Sequence, residues 1–398
     1  MTDDIALASP TGIFLDPHVY IAPGFEPVAD AFAANFEAGL EVGAAFVVTL
    51  EGEIVVNLRG GHADKARTAP VGEDALFAIW SATKGATATC IALLVERGQL
   101  DYEQPVATWW PEFAQNGKAA ITLGQMMAHQ AGICGVRTPV TIEDYYGHDR
   151  VAQLLAAETP FFEPATALGY HALTIGVLVD ELIRRVDGRS ASDYFREEIA
   201  LPLRLDMFMG LPATERSRLV ETIPPSGETQ YSLTVIPNQA AFDAAVLNPQ
   251  LVASWANDPD WQTAGIPAGG MMASAPGLAR HYALLANDGR LGDVALLSPA
   301  TIKAASRQRA EGIDQVTGLQ RRLSAGYQLN IKGRMGPDKG AFGHAGWAGP
   351  LGFADPANRV SIAYMANNML IDDPEGMDLR LARLIPATYA APALNRPA

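Results

Sequence analysis

Residues 44–61 read A-A-F-V-V-T-L-E-G-E-I-V-V-N-L-R-G-G. Two runs rich in β-branched residues are joined across Glu51-Gly52-Glu53, a pattern typical of a β-hairpin. Further strand patterns return only near the other end of the chain, at 324–331, 341–346, 350–354 and 359–366. The simplest packing joins both groups in one antiparallel sheet.

Helical patterns lie at both ends of the chain and fill its middle. Residues 27–40 place apolar side chains on one stripe after Pro27, and an amphipathic segment near 378–390 is placed to cover the sheet. Other helices are predicted at 85–97 before Gly98, after Thr122 with Gln125 as its capping partner, at 173–186, from Ser190, and at 277–287. Weak periodicity between 222 and 270 predicts a long functional or mobile loop.

These patterns predict an α+β fold with two lobes. The 398 residues exceed the size at which one hydrophobic core keeps growing. Residues 1–75 and 305–398 would form a sheet lobe flanked by the terminal helices, and residues 76–304 an inserted, mainly helical lobe. A ligand site is expected in the cleft between the lobes.

Charge and composition exclude some classes of partner. A formal net charge of −15 argues against nucleic-acid binding, because phosphates require clustered Lys and Arg. The first residues carry acids where a signal peptide carries bases, and no apolar run reaches the roughly 20 residues of a membrane helix. We therefore expect a cytoplasmic protein without a membrane partner. Cys90 and Cys134 are predicted to be free, buried thiols.

The stretch A-I-W-S-A-T-K-G at 78–85 contains the first candidate site residues. Ser81 and Lys84 stand three positions apart at a predicted helix start, so their side chains can meet on one face. A serine hydroxyl is a poor nucleophile until a base takes its proton. A lysine can be that base only when desolvation or nearby positive charge keeps it neutral. The same pattern also fits an N-cap serine beside a solvated lysine.

Two later stretches supply further candidates. Tyr170 lies in the loop P-A-T-A-L-G-Y-H-A at 164–172, and its phenol can accept a proton where cations such as Lys84 stabilise the phenolate. The alternative is a half-buried tyrosine that donates to a backbone carbonyl. The segment F-G-H-A-G-W-A-G-P-L-G at 342–352 has glycines that allow a ligand to approach the backbone closely, although it also fits a glycine-rich hairpin.

These three stretches, in this order, resemble the serine β-lactamase and penicillin-binding protein superfamily. The chain is most similar to its class C-like branch, which includes the family VIII carboxylesterases. The resemblance covers nearly the whole chain and includes M-A-H-Q-A-G-I at 127–133, A-G-G-M-M-A-S-A-P-G-L-A-R at 268–280 and L-L-S-P-A-T-I at 296–302.

The resemblance implies a role for each candidate residue. Ser81 would be the nucleophile, Lys84 its proton partner and Tyr170 the shared general base and acid. The backbone N–H groups of Ser81 and Trp347 would form the oxyanion hole. We expect Tyr145, His171, His344, Gly346 and Trp347 to contact the substrate. The seven histidines show no tight metal-ligand spacing, and we expect no cofactor and no metal.

Departures from the β-lactamase pattern favour an ester substrate. Class C enzymes carry asparagine two residues after the tyrosine, where this chain has Ala172, and their K-T-G is here H-A-G at 344–346. Each change removes a group suited to an anionic β-lactam, so we predict hydrolysis of small short-acyl esters. A β-lactamase or D-amino-acid peptidase, an acyltransferase, and a non-catalytic receptor that is acylated once remain alternatives.

Other polar residues are assigned to structure. The chain has no G-x-S-x-G elbow, which argues against an α/β-hydrolase. His129 is predicted to hold a helix end or loop through hydrogen bonds. The neighbouring acids Asp180 and Glu181 are predicted to lie on a solvated helix face.

Overall fold

A nine-stranded sheet lies at the centre of the computed structural model, which describes residues 20–225, 235–370 and 378–394. The strands are β1 (Tyr20–Ile21), β2 (Gly43–Leu50), β3 (Glu53–Gly61), β4 (Phe77–Ala78), β5 (Met207–Met209), β6 (Met271–Ala273), β7 (Arg290–Leu291), β8 (Val294–Ala295), β9 (Ala310–Ile313), β10 (Gln320–Leu323), β11 (Gln328–Leu329), β12 (Phe342–Ala345), β13 (Leu351–Asp355) and β14 (Val360–Ala366). The order in the large sheet is β1-β3-β2-β14-β13-β12-β11-β10-β9. Two small sheets are also present, one of three strands in the order β4-β6-β5 and one formed by the pair β7-β8.

The large sheet joins the two ends of the chain, as predicted. Val47 in β2 lies opposite Asn57 in β3 and, on its other side, opposite Ala363 in β14, and both pairings are antiparallel. Glu51 and Gly52 connect β2 to β3 with φ values of 53° and 90°, the positive angles of a type I′ hairpin turn. The α+β prediction is therefore confirmed.

The single strand predicted at 324–331 is wrong. β10 ends at Leu323, and β11 contains only Gln328 and Leu329. Between them Ser324 N–H donates to Tyr327 O at 2.9 Å, and Gly326 has a φ of 95°. A side chain at Gly326 would overlap Ala88 on the neighbouring helix, so the chain turns here to let that helix approach.

Thirteen helices are present in the described ranges. They are α1 (Glu26–Glu37), α2 (Thr83–Glu96), α3 (Leu123–Met127), α4 (Ile142–Tyr146), α5 (Asp149–Ala157), α6 (Thr174–Val186), α7 (Ala191–Phe195), α8 (Leu201–Leu203), α9 (Gln239–Val246), α10 (Pro259–Ala264), α11 (Ala275–Ala286), α12 (Pro299–Ser306) and α13 (Leu381–Tyr389). The predicted capping box at α3 is confirmed, because Thr122 and Gln125 each accept the other's backbone N–H.

Helices cover both faces of the sheet. The terminal helices α1 and α13 share one apolar cluster with the sheet, which includes Phe32, Ile362 and Leu384. The residue before Ile362 in β14, Ser361, points to the opposite face and donates to Ala279 O of α11 at 2.7 Å. The prediction that terminal helices flank the sheet is therefore confirmed, and α11 forms the other layer.

The region from 222 to 270 is more regular than predicted. It contains α9 and α10, each begun by a side-chain cap: Asn238 accepts from Ala241 N–H, and Asp258 accepts from Asp260 N–H. These helices are too short to show a clear apolar period in the sequence. Part of the predicted loop, residues 226–234, lies outside the described residues.

Most of the remaining helices pack into one large apolar core between the sheet and α2. The helices from α2 to α12 come from the middle of the chain, and all strands of the large sheet come from its two ends. This arrangement agrees with an inserted helical lobe, while the division at residues 75 and 305 stays a prediction.

Candidate active site

Ser81 lies in a short 3₁₀ turn, Trp80–Ala82, that leads directly into α2. The sequence pattern placed the helix start at this serine, and the α-helix itself begins two residues later, at Thr83. Lys84 is one turn further on, and its Nζ lies 3.0 Å from Ser81 Oγ. The helix entrance therefore brings the two side chains into direct contact.

The residue before the nucleophile has an unusual backbone conformation. Trp80 has a φ of 47°, in the left-handed region that residues other than glycine rarely adopt. Its ring packs against Trp261 at 5.8 Å and against Trp347 at 5.3 Å between centroids. Packing of this indole holds the turn in the conformation that presents Ser81.

Two backbone carbonyls hold the Lys84 side chain. Nζ lies 2.9 Å from Ala172 O and 2.7 Å from Ala268 O, and the residue is 3% exposed. A charged ammonium has three donors and no acceptor, so loss of one proton leaves two donors and a lone pair. With both donors directed at the carbonyls, the lone pair is available to the Ser81 hydroxyl.

Electrostatics favours this neutral amine. Burial lowers the pKa of Lys84 well below its usual value of 10.5, and the charge of Arg321 lowers it further. A lysine base was expected to need desolvation or nearby positive charge, and at Lys84 both lower the pKa.

Tyr170 comes from the loop before α6 and reaches the same place. Its phenol lies close enough to the Ser81 side chain for the two to interact, and Lys84 Nζ lies 4.8 Å from the centre of its ring. Burial raises the pKa of Tyr170 to about 12, and the Arg321 charge and the interaction with Ser81 oppose this rise. The phenol is therefore protonated at neutral pH.

Asp314 and Arg321 hold Tyr170, and the sequence analysis missed both. Asp314 is fully buried, and its Oδ1 accepts Tyr170 N–H at 2.9 Å while its Oδ2 pairs with Arg321 Nε at 2.6 Å. The Arg321 guanidinium lies 4.6 Å from the centre of the Tyr170 ring. The segment Gln320–Leu323 reads like an ordinary charged edge strand, so no local signal distinguishes this arginine.

The loop that carries Tyr170 is also held by His129, as predicted. His129 Nδ1 accepts the His171 N–H at 3.2 Å, and its carbonyl accepts Gly169 N–H at 2.9 Å. His171 is fully buried, its Nδ1 bonds to Gly169 O at 2.6 Å, and burial lowers its pKa to about 4. The substrate-contact role implied for His171 stays a prediction.

The end of β12 lies against the turn that carries Ser81. His344 is 1% exposed, its Nδ1 bonds to Ala345 O at 2.8 Å, and burial holds its pKa well below the usual value. A side chain at Gly346 would overlap the Ile79 carbonyl, and the Trp347 ring meets Trp80. The backbone segments of Ser81 and Trp347 are therefore neighbours.

Tyr145 and Asp180 are two further residues for which the sequence analysis made a prediction. Tyr145 is 5% exposed within the large core, and no hydrogen bond or ring contact in the described ranges joins it to Ser81, Lys84 or Tyr170, so its role stays a prediction. The solvated face predicted for Asp180 is wrong. Asp180 is 6% exposed because it accepts Ala191 N–H and pairs with His148.

Both cysteines are free and buried, as predicted. Cys134 Sγ donates to Gly169 O at 3.3 Å, just before Tyr170. Within the described ranges, no group of three or more His, Cys, Asp or Glu side chains could hold a metal ion. No helix in the same ranges is long and apolar enough to cross a membrane.

The chain belongs to the beta-lactamase family, whose model matches residues 32–386. It is 35% identical to Esterase/beta-lactamase LipL from Mycobacterium tuberculosis (strain ATCC 25618 / H37Rv), over 87% of this chain and 82% of the relative. This confirms the resemblance stated from the three motifs.

Two solved structures share the fold across almost the whole chain. A family VIII carboxylesterase is 41% identical with a TM-score of 0.87, and the match covers 94% of this chain and 98% of that one. A penicillin-binding protein homolog from Caulobacter crescentus is 39% identical, with the same TM-score and the same coverage. The family therefore includes relatives named for esters and for penicillin, and its membership alone does not choose between them.

Proposed function

We propose that this protein is a serine carboxylesterase that hydrolyses small short-acyl esters through a covalent acyl-enzyme on Ser81. One observation carries the proposal. Lys84 donates to two carbonyls and contacts the Ser81 hydroxyl, so it can serve as an uncharged base, and Tyr170 meets the same hydroxyl.

Acylation begins when Ser81 Oγ bonds to the ester carbonyl carbon and its proton moves to Lys84 Nζ. The carbonyl oxygen becomes an oxyanion that the backbone N–H groups of Ser81 and Trp347 stabilise. When the intermediate collapses, the bond to the alkoxy oxygen breaks. That oxygen leaves as an alcohol with the Tyr170 proton, and Lys84 returns a proton to Tyr170.

Deacylation repeats these steps with water. The water oxygen bonds to the acyl carbon, and its proton passes to the Tyr170–Lys84 pair. Collapse of the second intermediate breaks the bond to Ser81 Oγ, which recovers its proton as the carboxylic acid leaves. Because Tyr170 has a pKa of about 12, it begins each cycle as a proton donor, while Lys84 begins as the acceptor.

The surroundings of the site support an ester over a β-lactam. Ala172 supplies only its carbonyl, to Lys84, and has no amide for a β-lactam side chain. His344 is buried with a lowered pKa, so the strand offers a neutral imidazole where β-lactamases have a cation. Trp80 directly precedes Ser81, and its indole packs against those of Trp261 and Trp347. The bulk of this aromatic group next to the Ser81 turn supports a short acyl group.

The first test is Ser81→Ala with a short nitrophenyl ester. We expect turnover to fall to background because the nucleophile is lost, while circular dichroism shows an unchanged fold. Intact-mass labelling of the wild type with a fluorophosphonate should map to Ser81. Ester hydrolysis at the wild-type rate in the variant would overturn the proposal.

A second experiment separates the alternatives. Rates for the nitrophenyl ester and a chromogenic cephalosporin, measured side by side, should favour the ester. Dominant cephalosporin turnover would assign a β-lactamase. Product analysis with added alcohol would reveal acyl transfer, and a stable stoichiometric acyl adduct without turnover would assign a receptor.

A further inference from the structure

A fully buried arginine lies behind the turn that connects β12 to β13. Arg380 precedes α13, has no exposed surface, and donates Nη2–H to Ala348 O at 3.1 Å. Ala348 directly follows Trp347 and has a φ of 57°, and Gly349 has a φ of 154°. This turn therefore has an uncommon backbone conformation that its own sequence does not enforce.

The guanidinium uses four of its five N–H donors in hydrogen bonds. Nε pairs with Asp378 Oδ1 at 2.9 Å, Nη1 donates to Asn368 O at 2.7 Å and faces Glu41 Oε2 at 3.5 Å, and Nη2 pairs with Asp378 Oδ2 at 2.5 Å besides its bond to Ala348 O. An arginine has five N–H donors, and hydrogen bonds to Asp378, Asn368 and Ala348 use four of them, while Nη1 also faces the Glu41 carboxylate as an ion pair. Their geometry leaves the guanidinium one orientation.

Burying such a group has a cost that apolar packing would avoid, so a positional role is a reasonable explanation for it. The guanidinium connects the turn at Ala348 to the segment after β14 at Asn368 and to the start of α13. Gly349 lies so close that a Cβ there would be 2.8 Å from Arg380 Nη2. The turn can therefore move toward α13 only if Arg380 moves as well.

We propose that Arg380 is a positioning residue that directs the Trp347 N–H into the oxyanion hole by holding the Ala348 carbonyl. The inference rests on the proposed esterase function. In this role Arg380 does not touch the substrate, and it acts on the oxyanion hole through the backbone of Ala348. Because a misplacement of about 1 Å can cost about 100-fold in rate, loss of this bond should lower kcat.

The test compares Arg380→Lys with Arg383→Lys, using a nitrophenyl acetate. Lysine keeps the charge but has three donors, so it cannot serve all of the acceptors. Arg383 lies in the first turn of α13, three residues after Arg380, and donates to Ala34 O at the surface, which makes it a matched control. We expect Arg380→Lys to lower kcat about tenfold or more with KM within about threefold, and the control to match the wild type.

A sulfur probe distinguishes positioning from general damage. In a matched thionoester, sulfur replaces the carbonyl oxygen, and sulfur is a weak hydrogen-bond acceptor. The wild type should therefore prefer the oxygen ester strongly, and Arg380→Lys should reduce that preference. Structural damage alone would lower both rates equally. Asp378→Asn leaves Arg380 present but removes its charged partner, and it carries the same test if Arg380→Lys does not fold.

The outcomes separate the two proposals. A wild type without ester turnover refutes the esterase function itself. An active wild type together with a folded variant that keeps the wild-type kcat and the wild-type ester-to-thionoester ratio overturns only the role of Arg380.

Discussion

Charged groups around Tyr170 affect the pKa values of both Tyr170 and Lys84. Lys84 and Arg321 approach its ring at 4.8 and 4.6 Å, and Asp314 binds its backbone N–H. The imidazoles of His129 and His344 lie 5.0 and 6.3 Å from the ring, and burial lowers the pKa of each, so both are neutral. Arg321 is therefore the permanent cation at this site.

Removing that cation should change the pH dependence of the reaction. Arg321→Gln should raise the pKa of Lys84, because Arg321 and a protonated Lys84 repel each other. Lys84 must lose its proton to act as the base, so the acidic limb of the kcat/KM profile should move to higher pH by about one unit.

Two matched variants make that result specific. Arg321→Lys keeps the charge and should restore the profile. Arg322→Gln alters the next residue, which bonds to Gln308 and Asn330 instead of Tyr170, and it should leave the profile unchanged. An Arg321→Gln profile identical to that of the wild type would contradict the electrostatic role.

At the level of elements, α2 is the helix on which the site depends. Every residue from Thr83 to Leu94 is buried, so this part of the helix has no face exposed to solvent. Gly85 lies in its first turn, where glycine normally weakens a helix. A Cβ at this position would overlap the Tyr282 hydroxyl of α11, so the glycine allows α2 and α11 to pack closely.

Gly85→Ala should therefore destabilise the protein, although alanine is the better helix former. We expect a loss of about 1–3 kcal/mol in the free energy of unfolding, measured by denaturant titration, because the methyl group overpacks the contact. In a Tyr282→Phe background the hydroxyl is gone, and the same substitution should cost clearly less. Equal costs in both backgrounds would disprove the packing explanation.

Local pattern predicted some elements well and others badly. The hairpin at 44–61 and the helix after Pro27 were predicted because their periods extend over many residues. The strand at 324–331 was not, because the approach of Ala88 to Gly326, which is distant in sequence, forces a turn. For the same reason no local signal indicated that Asp180 would be buried against His148.

At the scale of the whole molecule, buried ion pairs make stability depend on pH. His148 Nδ1 lies 3.0 Å from Asp180 and Nε2 lies 2.9 Å from Glu181, so both ring nitrogens must donate and the imidazole must be charged. Burial opposes that charge, but hydrogen bonds to the two carboxylates outweigh it and raise the pKa of His148 to about 9.

The linkage predicts which pH weakens the fold. A raised pKa means that the folded state binds a proton more tightly, so the stabilisation is complete below about pH 6.5 and is lost as pH rises through about 9. His148→Gln should cost about 3 kcal/mol of unfolding free energy at pH 6 and much less at pH 9.5.

Arg150→Gln is the control for that experiment. It breaks a neighbouring surface pair in which Arg150 Nη1 lies 3.0 Å from Asp144 Oδ1 and the arginine side chain is 55% exposed. Such pairs contribute about 0–1 kcal/mol, and this one should show no trend between pH 6 and 9.5. A cost for His148→Gln that stays constant across this range would contradict the linkage.

The sequence by itself determined the family, the sheet built from both chain ends, and the Ser81, Lys84 and Tyr170 candidates. These follow from short motifs and local periods that are readable wherever they occur. Only the tertiary structure decided the directions in which the pKa values of Lys84 and Tyr170 shift and the roles proposed for Arg321 and Arg380. A pKa or a held turn depends on burial and on partners far away in sequence, which no local pattern contains.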